Sequence, residues 1–169
     1  YRRFADLKKA EAQAREAQIE VALEKVRSAS LAMHKSEELI QVVRILNKEI
    51  LGLGIEEHGT QIITDFANAE DGLNDWYARE GADFLEKFHI PYLEHSITKR
   101  FYKSQEKGVG FYTDSYSKDE KNEYFKLLFN YSDFKSIQKE RQDIVYNTPG
   151  IVRAVVLSQN SILVFQRFN

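Results

Sequence analysis

The sequence predicts an α+β protein: a long N-terminal coiled-coil helix followed by an antiparallel sheet flanked by helices. Three observations predict it. Residues 4–33 contain neither glycine nor proline and place an apolar residue every seventh position. Two runs of β-branched and aromatic residues, near 59–80 and 151–168, each break at turn chemistry and read as hairpins. The stretches between them carry helical spacing and helix caps. Strands that pair with their neighbours through hairpins, with helices gathered between the pairs, favour an antiparallel sheet.

The helix comes first. Counting in sevens from Ala5 meets Ala12, Ile19, Val26 and Met33, a coiled-coil seam rather than the wider stripe of a surface helix. Ala22 and Ala29 continue the seam and Leu23 widens it, whereas Lys8 and Arg15 weaken its first two heptads. At 1.5 Å per residue such a helix is ~50 Å long, too long to lie against a single domain along its whole length. A narrow apolar seam needs a partner helix, and a second copy of the chain is the simplest one. Residues 1–35 are therefore read as a signalling or dimerisation helix, with Ala12, Ile19, Ala22, Val26, Ala29 and Met33 in the dimer interface.

Residues 36–169 are read as one domain. Ser36, followed by Glu37 and Glu38, suits the N-cap of a second helix over about 37–51, which Gly52 and Gly54 end. Gly59–Phe66 and Leu73–Glu80 are strands joined by the turn residues 67–72. Asp83 to Lys87 reads as a short helix or loop, and Pro91 opens or precedes a helix through Leu93, Ile97, Phe101 and Tyr102. Residues 108–113 are a further strand. Ser117 and Glu120 form a capping box ahead of a helix that buries Tyr124, Phe125, Leu128 and Phe129. Another helix over about 134–146 ends before Pro149-Gly150, and strands 151–157 and 161–168 close the chain.

The bulk numbers exclude several classes. Net charge is −2, divided as +3 over residues 1–35 and −5 over 36–169, so neither nucleic acid nor an anionic membrane is expected as the main partner. No apolar run approaches a membrane span, nothing resembles a signal peptide, and cysteine is absent. A cytoplasmic location is the expectation, within a parent protein that could itself be membrane-anchored. The chain opens at Tyr1 rather than a methionine, and is read as part of a longer protein.

Two stretches carry a family resemblance. Glu20-Val-Ala-Leu-Glu-Lys-Val-Arg27 and Ala32-Met-His-Lys-Ser-Glu-Glu-Leu39 resemble the segment that opens sensor regions in Bacteroidetes-type multidomain signalling proteins. In those proteins a coiled-coil signalling helix leads into a GAF-like domain, usually with a histidine kinase or another output module further on. The order of the remaining elements is similar to that of a GAF domain, a relative of PAS. The hairpin 151–168 corresponds to the family's last two central strands. The resemblance implies a sensory module of a two-component or related signalling system that binds a small ligand. The chain lacks the cysteine and the Asp-Ile-Pro-type motif of bilin-binding members, so no covalent chromophore is implied and no cofactor is named.

The candidate ligand contacts are Trp76, Tyr77, His89, Tyr92, His95, Tyr112 and Arg153, drawn from the aromatic supply around the expected sheet and the polar groups beside it. Other motifs point elsewhere. His34 sits where a histidine kinase keeps its phosphoacceptor, but Lys35 rather than an acid follows it and the chain has no Gly-rich nucleotide-binding segment. His89, Glu94 and His95 straddle Pro91 and do not share a helix face, so a metal there would need His58 or Asp83 as a further ligand. Lys107-Gly-Val-Gly-Phe-Tyr112 superficially matches an RNA-recognition strand, with Val109 where a base-stacking aromatic is needed. No Ser-His-Asp, Cys-His or paired-carboxylate set is evident, and no metal is assigned. The alternatives to a ligand sensor are a dimerisation and relay unit with a closed core and, further off, a metal-dependent enzyme.

Overall fold

The two hairpins at opposite ends of the domain are joined by their inner strands. In the computed structural model, which describes residues 2–79 and 86–169, six strands form one antiparallel sheet in the order β3-β2-β1-β6-β5-β4. These are β1 (Gly59–Thr64), β2 (Leu73–Ala78), β3 (Glu86–Ile90), β4 (Phe111–Ser117), β5 (Gly150–Leu157) and β6 (Ile162–Phe168). The helices are α1 (Arg2–Leu31), α2 (Leu39–Gly52), α3 (Ser96–Glu106), α4 (Lys118–Tyr131) and α5 (Lys139–Asn147). The α+β class and the long leading helix are as the sequence predicts.

Alternation along the strands sends successive side chains to opposite faces. One face carries Ile63, Leu73, Phe88, Ile90, Val155, Ile162 and Val164 into the main core, roofed by α3 and α4. The opposite face carries Ile62, Trp76 and Ala78 against Val43, Leu39 and Ile40 of α2. Lys121, fully buried on α4, reaches the Val145 carbonyl of α5, and Asn122 donates to the Tyr146 carbonyl at 3.1 Å. These two bonds fix the angle between α4 and α5 over the end of the sheet.

The junction at Ser36 is a full reversal of the chain. Ser36 opens a short 3-10 turn without capping anything, and Glu38 accepts from the His34 amide at 2.7 Å. The chain then runs back along itself, so that Lys25 pairs with Glu49 at 2.9 Å and Ala22 is buried. The α1 seam is thus divided. Its C-terminal half, with Val26, Ala29 and Met33 half-buried, lies beside the chain's own α2, while Ala12 and Ile19 are exposed together with Phe4 and Leu7.

Other expectations shift. Residues 86–87, expected as helix or loop, belong to strand β3; residues 83–85 lie outside the described residues. Five residues are too short a run for alternation to declare itself, yet Phe88 and Ile90 point inward and Lys87 and His89 outward. Pro91 precedes the third helix, which starts at Ser96 with His95 as its cap and so leaves Leu93 outside it. Strand β4 runs over 111–117 rather than 108–113, because Gly108 takes a left-handed φ of 63° in the turn before it. The helix expected over 134–146 is a 3-10 turn, Asp133–Ser136, followed by α5. The capping box at Ser117 and Glu120 forms with both of its bonds. No helix among the described residues is long and apolar enough to cross a membrane.

Phe88 tests the register of β3, since it is 1% exposed and stacks on Phe134 at 4.1 Å. Replacing it with alanine lowers the unfolding free energy by about 3–5 kcal/mol in a urea titration. A loss within experimental error would mean that β3 does not contribute to the core.

Candidate functional site

A cavity of about 470 Å³ lies between one end of the sheet and the helices that roof it. Strands supply Tyr77, Phe88, Gln166 and Phe168, together with Arg79 just past β2 and Glu57 and His58 just before β1. The roof supplies Phe125 and Phe129 from α4, Phe134 and Ile137 around the 3-10 turn, and Arg141, Ile144, Val145 and Thr148 from α5 and its end. Phe88, Phe125, Phe129 and Phe134 are buried and form the inner end of the cavity, its floor as seen from the mouth, whereas His58 and Ile144 are exposed and mark the opening. The volume falls within the range of small-molecule sites, and an apolar body with a few polar groups is their usual construction.

The polar groups of the wall are held individually. Glu57 accepts from the Gly59 amide at 2.8 Å, from the Thr60 hydroxyl at 3.2 Å and, closely, from Asn47 of α2. Burial nevertheless raises its pKa, the three hydrogen bonds opposing that shift only in part. His58 accepts at Nδ1 from the Phe168 amide at 3.0 Å, which orients its ring over Phe168. Tyr77 donates to the His58 carbonyl at 3.2 Å, and burial pushes its hydroxyl up to about 12, so it stays neutral. Arg79 Nε is buried without a hydrogen-bond partner among the described residues.

A second hollow of about 40 Å³ lies deeper against the sheet and shares Phe125, Phe134 and Gln166 with the first. Asp75 is on its wall, 2% exposed, holding a hydrogen bond from Gln61 at 2.9 Å while its other oxygen has no partner among the described residues. Burial pushes the Asp75 carboxyl up to about 8. It is therefore a neutral acid at pH 7, able to donate a hydrogen bond.

Of the seven sequence candidates, the structure brings Tyr77 to the cavity and Arg153 to the hollow. Arg153 is already committed: its Nε and Nη2 donate to the two oxygens of buried Asp114 at 2.9 and 2.6 Å, and it stacks over Phe101 and Tyr116. Trp76 faces α2 and donates to Thr64 at 3.1 Å. His89 is exposed on that same sheet face, its amide donating to Asp133 at 2.8 Å. Tyr92 is exposed beside Tyr102. Tyr112 is buried beneath Arg100, whose guanidinium lies 4.5 Å from its ring. His95 accepts from the Ile97 amide as the cap of α3 and contacts Tyr124, and burial lowers its pKa. Among the described residues no three His, Asp or Glu side chains converge as a metal site, and Asp83 lies outside them. The Lys107–Tyr112 motif straddles a turn and the start of β4, with Phe111 exposed and Tyr112 buried.

The groups that do line the two hollows have a signal in the sequence. Asp75 interrupts the inward series Leu73, Tyr77, and Gln166 interrupts Val164, Phe168. A polar residue at an inward strand position must either be paired or meet a ligand. No family model matches the chain, and no curated protein does so either.

Asp75 binds its proton more tightly when folded than unfolded, so the folded state carries the extra proton between pH 4 and 8. Stability therefore falls as pH rises through that window and levels off above about 8. Asp75→Asn flattens the slope and stabilises the protein at pH 8 by roughly 1–3 kcal/mol. Denaturant midpoints across pH 4–9 measure both effects, and parallel curves for the two proteins would show that Asp75 ionises freely.

Proposed function

We propose that the chain is a sensory or regulatory module of GAF-like type, belonging to a multidomain signal-transduction protein and acting in the cytoplasm. A small molecule in the 470 Å³ cavity acts through α2 on the signalling helix α1. Glu57 is the observation that carries the reading. Its carboxyl stands in the cavity wall and is at the same time hydrogen-bonded to Asn47, a buried residue of α2. A ligand charge placed in the cavity beside Glu57 changes the strength of its bond to Asn47, and α2 is clasped to α1 through Lys25–Glu49 and buried Ala22. A ligand shifts such an equilibrium only by its differential affinity for the two helix arrangements.

The output surface in this reading is the N-terminal half of α1. Ala12 and Ile19 of the seven-residue repeat are exposed there, with Phe4 and Leu7 exposed on the turns before them, and exposed apolar seams of that kind pair. The position of the closing hairpin also fits the resemblance, since β6 and β5 are interior strands of the sheet.

Native mass spectrometry of the purified chain tests the reading. A dimer carrying additional mass, released on denaturation, is expected. Ala12→Asp with Ile19→Asp converts it to a monomer without shifting the thermal midpoint by more than a few degrees, because both residues lie on exposed turns of α1. A dimer of bare chains would assign the module to structural relay instead, and a wild-type monomer would remove α1 as a dimer seam.

A further inference from the structure

We infer that the cavity selects an aryl carboxylate, its ring seated among Phe88, Phe125, Phe129 and Phe134 and its carboxylate on Arg79. This assignment rests on the reading that the cavity is a ligand site, and it adds the ligand's chemistry.

The body of the ligand follows from the floor. Phe88 and Phe134 stack at 4.1 Å and Phe125 lies 5.7 Å from Phe129, tilted at 43°. Rings in these orientations offer faces and edges to a further ring, an arrangement that aromatic pairs prefer and that flexible chains exploit less well. The floor offers no polar side chain, so a ligand charged along its length would lose its hydration without compensation.

The sign of the head group follows from the wall. The charged side chains lining the cavity are Arg79, Arg141 and Glu57. Glu57 is the acid that a cationic ligand would need, and its carboxyl is engaged by Gly59, Thr60 and Asn47. His58 has Nδ1 occupied by the Phe168 amide. Arg79 is the reverse case, with a buried Nε that meets no acceptor among the described residues. A guanidinium edge presents two parallel N–H donors, which a planar carboxylate matches and a single-point acceptor does not. A single open guanidinium edge on Arg79, with the Glu57 acid in the same wall, favours a monoanion over a dianion or a phosphate ester.

Isothermal titration calorimetry of the whole chain with 1-naphthoate, 1-naphthamide and 1-naphthylmethylamine tests this. Naphthoate should bind at least about tenfold more tightly than the isosteric amide, and the amine most weakly. Arg79→Met should remove that preference, weakening naphthoate about tenfold while amide affinity stays within about twofold of wild type. If Arg79→Met does not fold, Arg79→Lys keeps the charge without the fork and should still weaken naphthoate severalfold. Equal binding of acid and amide, tighter binding of the amine, or naphthoate affinity unchanged in the Arg79 variant overturns the assignment while leaving the cavity a ligand site. Absence of binding by all three probes overturns it as well, and extra mass in the native spectrum then shows whether a ligand of another class occupies the cavity.

Discussion

The pairing of β1 with β6 holds this fold together. Each of the two strands belongs to its own hairpin, and the register that sets Gly59 against Gln166 and Ile63 against Ile162 joins them into one sheet. Without that ladder each half would be a three-stranded sheet with an open edge, at β1 in one and β6 in the other, and unpaired edges of that kind invite pairing with other chains. The same ladder places Tyr77, Gln166 and Phe168 along one end of one face, where α4 and α5 leave room above them. Cavity and fold therefore share one cause.

The two faces of the sheet have different tasks. The core face is aromatic and carries its polar groups inward as pairs or single buried donors, such as Arg153 on Asp114. Breaking such a pair from one side leaves an uncompensated charge, so it specifies the packing of β4 on β5 more than it adds stability. The opposite face is narrow, serving mainly to seat α2. Glu57 sits at the corner between them. It reaches the cavity from one side and α2 from the other, so an event on the core face need not cross the sheet to be felt behind it.

Most elements were legible because their signals are local. The seven-residue repeat gave α1, the box at Ser117 and Glu120 gave the start of α4, and alternation gave both hairpins. What stayed hidden depends on tertiary context. Strand β3 is five residues long, and only its pairing with β2 makes it a strand. The reversal at Ser36 has no proline or glycine to announce it, and the burial of Ala22 follows from that reversal. The site was harder still. Aromatic residues were chosen as ligand contacts by type, yet Trp76 and Tyr77 are neighbours on opposite faces and only the second meets the cavity. Arg153 was a reasonable choice until Asp114, thirty-nine positions away, claimed the Nε–Nη2 edge of its guanidinium. Asp75 and Gln166 could have been found by asking which inward strand positions are polar.

The β1–β6 ladder also sets an order of events during synthesis. Strand β1 emerges from the ribosome about a hundred residues before its partner, and sheets that depend on such distant pairing form late. Throughout that interval α1 is already outside, with its seven-residue repeat complete and no finished domain behind it. Because Gln166 and Phe168 belong to β6, the cavity has no closed wall until that strand docks.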